Sequence, residues 1–329
     1  MNKVILKKAQ LFLFSLGYGK IKSFKEIKEG RNSQVYKLRV DQNNLVLKIY
    51  KDKSKLRIKR EKLFYEYLLE IKTNKVVRPI GFSINLNIAL YPFIDGGKIK
   101  KISKNHIREL FNFLNQINQK KGSIKLPLAV DGIKNRKDHI KLCEEKIKQM
   151  KRVKPDSLIK KDFSFFLKDK IIPKFIEVKE NFIKNDVFTL HKTKLSQNDM
   201  VVSPSDFGFH NIIKSKKNLF FLDFEYAGLD DPIKLICDFY SQPEQSLTLL
   251  QKKMFITNIF FKKHSLKQLE LNTKIFLPFH KLKWCCIMLK EFKNETNKSD
   301  IKKFKLKTKI MKNQLSKAKI YFNKNFENK

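Results

Sequence analysis

Ser203-Pro-Ser-Asp-Phe-Gly-Phe-His-Asn211, followed by Leu219-Phe-Phe-Leu-Asp-Phe-Glu225, is the stretch of this 329-residue chain whose reading decides the rest. Four residues separate Asp206 from Asn211, and Asp223 closes an apolar run twelve residues after Asn211. The first part reads as a loop of turn-forming residues and the second as a buried strand. Such a loop sets Asp206 and Asn211 on one rim, while Asp223, presented at a strand end, reaches toward them from the other side. Taken alone, Asp206 and Asn211 are ordinary turn residues and Asp223 an ordinary strand terminus. A lysine-bearing hairpin upstream changes that reading.

The hairpin lies at 30–50. Tyr36, Leu38 and Val40 alternate with Lys37, Arg39 and Asp41, turn residues follow at Asp41-Gln-Asn-Asn44, and Leu45–Tyr50 resumes as a strand. Leu45, Leu47 and Ile49 share one face of that strand, so Lys48 lies on the other beside Val46 and Tyr50. From Lys55 to Ile71, Leu56, Leu63, Phe64, Tyr67, Leu68 and Ile71 recur at helical spacing, with Glu61 on the flank of the stripe and Arg60 at its centre, read as a snorkelling side chain. A second strand pair is expected at Val76–Phe82 and Ile88–Phe93, ending in a loop at Asp95-Gly-Gly97. Helices are expected at His106–Asn118, Asp138–Lys151 and Phe163–Asn185, the last interrupted by Pro173. A β-rich island then spans Met200–Val202, Asn211–Lys214 and Asn218–Phe224. Asp231-Pro232 opens a helix as N-cap and first-turn residue, and Asp300–Phe322 is a basic amphipathic helix with Ile301, Phe304, Met311 and Leu315 inward. No internal repeat or low-complexity linker is present.

The order lysine hairpin, helix glutamate, Asp-x4-Asn loop and strand-terminal Asp is the layout of a kinase catalytic apparatus. Phosphoryl transfer needs a carboxylate to orient a hydroxyl and take its proton, and oxygen ligands to hold Mg²⁺ against nucleotide phosphates. Asp206 fits the first role, and Asn211 and Asp223 fit the second. The blocks Asp206–Asn211, Leu222-Asp-Phe-Glu-Tyr-Ala-Gly228 and Asp231-Pro232 resemble those of the aminoglycoside phosphotransferase and choline kinase family. The downstream stretch Leu282-Lys-Trp-Cys-Cys-Ile-Met-Leu-Lys-Glu-Phe292 is similar to a bacterial phosphotransferase-like subset of that group.

The resemblance covers about residues 28–240 and is strongest in its second half. It implies a bilobal, protein-kinase-like α+β fold, with a small β-rich lobe at 1–95 and a larger helical lobe at 96–329. It also implies ATP and Mg²⁺ as cofactors and the hydroxyl of a sugar, amino sugar or amino alcohol as acceptor. Lys48 becomes the nucleotide lysine with Glu61 as its helix partner. Gly30–Tyr36, with Ser33, becomes the phosphate-side loop, and Tyr91–Asp95, with Tyr91 and Phe93, the hinge that contacts adenine. Two positions depart from the family pattern. Pro204 stands where His usually precedes the catalytic Asp, and Leu235 stands where an Asp usually follows the Asp-Pro turn, with Asp238 as a stand-in one helical turn on. Glu225, Asp230 and Asp238 are acids for which the sequence shows no structural duty, and an acidic cleft for a cationic or polyhydroxyl acceptor is one reading of them.

Other motifs carry less. Gly17-Tyr-Gly19 lacks the third glycine of a dinucleotide fingerprint, and no G-x4-G-K-[ST] occurs. His210 reads as a local hydrogen-bonding residue of the loop, and Trp284, Cys285 and Cys286 as core. The four cysteines show no C-x-x-C spacing, which argues against a zinc site or disulfide framework and points to a reducing compartment. No apolar run approaches membrane-spanning length, so a soluble cytoplasmic protein is expected.

The formal charge is +40, from 72 Lys and Arg against 32 Asp and Glu. Only eight of the basic residues are Arg, all at or before Arg152. Nucleic-acid recognition favours Arg, and the surplus of Lys, Ile, Phe and Asn with only ten Gly matches AT-rich codon usage. Two alternatives stay open: a catalytically silent kinase-like binding protein, and a basic protein docking on RNA or an anionic membrane. Oligomeric state is not legible.

Overall fold

The computed structural model describes residues 3–27, 33–119, 122–154, 156–184, 194–261, 264–293 and 301–327, with side chains from 305 onward in the last stretch. The chain forms two compact units. One takes 1–130, 202–229 and 258–262; the other takes 131–201, 230–257 and 263–329.

In the first unit, helix α1 (Lys3–Ser15) precedes strands β1 (Ile21–Ile27), β2 (Ser33–Val40) and β3 (Asn43–Tyr50). Helix α2 (Leu56–Glu70) follows, then β4 (Gly81–Ser83) and β5 (Ile88–Pro92). The strands form one antiparallel sheet in the order β1-β2-β3-β5-β4. Asp41 and Gln42 make the β2-β3 turn, with Asp41 in the left-handed region at φ 51° that Asp tolerates. The expected alternation holds. Tyr36, Leu38, Val40, Leu45 and Leu47 bury against Ala9, Phe12 and Leu13 of α1, which leaves Lys48 and Tyr50 on the opposite face, toward α2. Two expectations need correction here. The strand expected from Val76 forms only at Gly81–Ser83, and Leu56 is exposed rather than part of the buried stripe of α2.

Helix α3 (Lys104–Gln119) supplies a wall of this unit. Its Phe113 stacks on Phe221 with ring centroids 4.1 Å apart, Phe207 packs 5.8 Å from Phe221, and Phe224 sits 5.0 Å from Phe64 and 5.2 Å from Tyr65 of α2. These rings anchor the 203–225 stretch at both ends. Strands β6 (Val201–Ser203), β7 (Ile212–Ser215), β8 (Asn218–Phe221) and β9 (Gly228–Asp230) make two short ladders, β6-β9 and β7-β8.

The second unit is helical: α4 (Asp138–Lys151), α5 (Leu158–Phe166), α6 (Ile172–Lys184), α7 (Pro232–Ser241), α8 (Leu249–Asn258), α9 (Leu266–Met288) and α10 (Ile301–Phe322). The helix expected from Phe163 starts earlier, at Leu158, and passes through a π-turn at Leu167–Ile171 just before Pro173. Proline lacks an amide donor and crowds the preceding turn, and the widened turn accommodates it. The Asp231 carboxylate accepts from the Ile233 amide at 2.7 Å, capping α7 as the sequence implies. The four cysteines are buried free thiols. Among the described residues no helix is long and apolar enough to cross a membrane.

Candidate active site

Strand β3 and helix α2 bring Lys48 and Glu61 together by simple periodicity, because each points from its element toward the other. The Lys48 ammonium donates to Glu61 Oε2 at 2.7 Å. Tyr50 and Tyr91 donate their hydroxyls to the same carboxylate at 2.8 and 2.9 Å, so Glu61 is held by three donors. Tyr91 therefore spends its hydroxyl on Glu61, while the Phe93 amide donates to Asn44 O at 3.1 Å and Ser215 Oγ donates to Asp95 O at 2.6 Å. Phe93 lies under the Lys37 ammonium, 3.8 Å from its ring centroid, and Ser33 is buried opposite Tyr50 in the β2-β3 register. Residues 30–32 of the proposed phosphate-side loop lie outside the described residues.

Lys48 makes a second strong contact, to Asp223 Oδ1 at 2.6 Å, and Glu225 Oε2 stands 3.3 Å away. Burial alone would lower the lysine pKa. Asp223, Glu61 and Glu225 outweigh it and push the ammonium well above its ordinary value, so it stays charged. Burial raises the pKa of the Glu225 carboxyl, with Lys48 opposing and Asp223 and Glu61 reinforcing the rise. Arg57, one helical turn before Glu61 on α2, donates to Glu225 Oε1 at 3.1 Å and lies over the Tyr226 ring. Sequence reasoning passed over Arg57 and Tyr50, although Tyr50 shares a strand face with Lys48 and Arg57 a helix face with Glu61.

Asp223 is presented differently from the expectation. Strand β8 ends at Phe221, and Asp223 sits two residues beyond it at φ 67°, in the left-handed region. That backbone costs energy in a non-glycine residue and is held by its surroundings. The Leu222 amide donates to the Asn211 carbonyl at 3.2 Å, which ties the Asp223 turn to the Asp206 loop. Beyond it, 226–229 pairs with 127–130 through the Val130, Ala129 and Leu229 amides. A Cβ on Gly228 would meet Pro127 O at 2.3 Å, so only glycine fits there. Arg60 does not snorkel. Its guanidinium donates to Leu128 O at 2.6 Å and Ala227 O at 2.9 Å, clamping α2 to both segments, because those buried carbonyls face it where solvent was expected.

The Asp206 loop is closed by its own groups. Asn211 Nδ2 donates to Asp206 O at 2.9 Å, which leaves its amide oxygen as the group to present, and His210 Nε2 lies 3.2 Å from Asp206 Oδ1. Ser205, at φ 66°, donates its amide to Ser203 Oγ at 3.0 Å in the turn that follows Pro204. Asp206 and Asp223 keep side-chain exposures of 34% and 35%, against 1% for Glu61 and 2% for Glu225. These two half-buried carboxylates are the ones open to solvent. The buried pair shapes the field around Lys48.

The half-buried Asp223 carboxylate and the Asn211 amide oxygen are donors that suit a hard divalent cation. Ligand oxygens of Glu61, Asp223 and Glu225 all lie within 4.8 Å of one another, with the Lys48 ammonium among them at 2.7, 2.6 and 3.3 Å. Carboxylates plus an amide oxygen are the donors Mg²⁺ takes. The acids first set aside for an acceptor cleft are all accounted for by partners. Glu225 faces Arg57 and Lys48, while Asp230 and Asp238 are buried in the helical unit against Lys234, Lys283 and His280.

No family model and no curated protein matches the sequence. Solved structures do. A spectinomycin phosphotransferase, APH(9)-Ia, in complex with ADP and spectinomycin matches with a TM-score of 0.60 at 13% identity over 96% of this chain and 98% of its own. The choline kinase LicA from Streptococcus pneumoniae matches with a TM-score of 0.60 at 14% identity over 97% and 98%. The ADP-bound aminoglycoside phosphotransferase APH(2'')-Ib matches with a TM-score of 0.55 at 15% identity over 96% and 99%. With its antiparallel sheet in the N-terminal region and helices in the C-terminal region, the chain has the kinase-like fold of the aminoglycoside phosphotransferases and choline kinases.

Proposed function

We propose that this protein is an ATP- and Mg²⁺-dependent phosphotransferase of the aminoglycoside phosphotransferase and choline kinase group, acting on a hydroxyl of a small molecule. The observation that carries the reading is the charged Lys48 held between the buried Glu61 and the half-buried Asp223. Asp206 accepts the acceptor's proton as its oxygen bonds to the γ-phosphorus and the bond from that phosphorus to the β,γ-bridging oxygen breaks. His210 orients the Asp206 carboxylate. Lys48 turns its ammonium from Asp223 to the nucleotide phosphates, with Glu61, Tyr50 and Tyr91 fixing its direction. Asn211 and Asp223 hold Mg²⁺, which when bound neutralises phosphate charge. Ser33 and the 91–95 segment take the nucleotide, in line with a division of roles near residue 95.

Sugars, amino sugars and amino alcohols are the acceptor class, a reading supported by the spectinomycin- and choline-directed names of the structural neighbours. The buried free thiols support a reducing, cytoplasmic setting. Phosphorus NMR of the protein with ATP, Mg²⁺ and pooled hydroxyl compounds tests the proposal. A new phosphomonoester signal that needs an acceptor and disappears in Asp206→Asn is expected. MgATP binding without transfer across the pools would replace the proposal with a catalytically silent binding protein.

A further inference from the structure

Helix α10 carries two apolar faces, and among the described residues only one is buried. Met311, Leu315, Ala318 and Phe322, spaced i, i+4, i+7 and i+11, are buried in the helical unit, where Phe322 packs edge-on to Phe166 of α5. Leu306, Ile310 and Ile320 fall on a second stripe at i, i+4 and i+14, and each is at least 42% exposed. Helix α5 meets α10 on the side away from that stripe. Its Leu158 and Phe165 are exposed on either side of Asp162, and Asp162 lies 3.8 Å from Lys319 of α10.

The polar residues around the stripe are of one sign. In its 22 residues α10 has eight lysines and no acid, and Lys305, Lys309, Lys312 and Lys317 are exposed. Codon bias accounts for the numbers of Lys and Ile, but it does not account for Leu306, Ile310 and Ile320 falling on one stripe of the helix. A helix with lysines around exposed Leu and Ile has the make-up of one lying in a lipid interface. The composition also discriminates among anionic partners. Nucleic acids are held by arginine forks and by stacking on aromatic rings, and α10 has no Arg and turns aliphatic groups outward. An anionic bilayer takes lysine as a point charge and aliphatic side chains in its acyl boundary.

We propose that the exposed face of α10 docks this protein peripherally on an anionic lipid surface. The inference is independent of the catalytic reading. Co-sedimentation of the full chain with phosphatidylcholine vesicles, with and without phosphatidylglycerol, tests it. Binding is expected only to the phosphatidylglycerol vesicles, weakening as salt is raised. Neutralising lysines 305, 309, 312 and 317 to Gln should weaken binding roughly fivefold per residue. The triple variant Leu306→Gln, Ile310→Gln, Ile320→Gln should weaken it about tenfold or more while melting as wild type does, since these side chains are exposed. No binding to phosphatidylglycerol vesicles overturns the proposal. So does binding that ignores the apolar triple variant, which would reduce the interaction to diffuse charge. Displacement from α10 by single-stranded RNA, with no lipid affinity, would overturn it in favour of a nucleic-acid surface.

Discussion

Glu61, Asp223 and Glu225 in the first unit and Asp230, Asp231 and Asp238 in the second are both trios of carboxylates gathered around lysine, yet they differ in closure. In the second unit every carboxylate is sealed and partnered. Lys234 bridges Asp230 and Asp238 at 2.7 and 3.2 Å, Lys283 and His280 also meet Asp238, and His139 links His280 to Asp231 at 2.8 and 3.3 Å. Burial disfavours the Asp238 charge, but Lys283, Lys234 and His280 outweigh it and hold the carboxyl well below its usual range. In the first unit Glu225 Oε2 lacks a hydrogen-bond donor and Asp223 reaches solvent. A sealed ionic cluster holds helices together. The open one is where the proposed function places a cation and nucleotide phosphates.

The strongest test of this contrast is Asp238→Asn. It leaves Lys283 and Lys234 short of a buried counter-charge, so the variant should lose about 3–5 kcal/mol of stability by denaturant unfolding. A loss no larger than that of a surface substitution would mean the cluster is not sealed. Asp206→Asn should do the reverse, cutting phosphate transfer roughly a hundredfold or more while MgATP affinity and melting stay near wild type. Half of wild-type turnover under saturating substrates would remove Asp206 from the chemistry.

The first trio is sharpened by a double-mutant cycle on Lys48→Met and Glu61→Gln, read by calorimetric titration of MgATP. Each change should weaken binding, and the pair should fall short of the sum by about 1–3 kcal/mol, because the carboxylate acts through the ammonium it holds. Additive losses would uncouple them. A pH limb is expected in the second unit as well, spread over several pH units. Burial, helped by Lys283, lowers the His280 pKa to about 3 from an ordinary 6.5. Between those values the unfolded chain binds more protons, so stability is complete above about 6.5 and falls as pH drops toward 3, by up to about 1.4 kcal/mol per pH unit. His280→Asn keeps a donor for Asp238 without titrating, and melting curves from pH 7 to 4 should fall less steeply in that variant. An unchanged slope would assign the limb to other groups.

Local periodicity and turn chemistry were enough for the β2-β3 hairpin, the face that bears Lys48, the stripe and glutamate of α2, the Asp231-Pro232 cap and the Asp206–Asn211 loop. Each depends on residues a few positions apart, whose geometry a strand, helix or turn fixes without outside help. The tertiary structure alone decided the left-handed turn at Asp223, the clamp by Arg60 and the partners of Glu225, Asp230 and Asp238. Lys48 meets an Asp 175 residues away and Arg60 a carbonyl 167 residues away. A side chain's charge type is written in sequence, but whether it ends solvated, satisfied or waiting for a ligand depends on which distant groups share its low-dielectric surroundings.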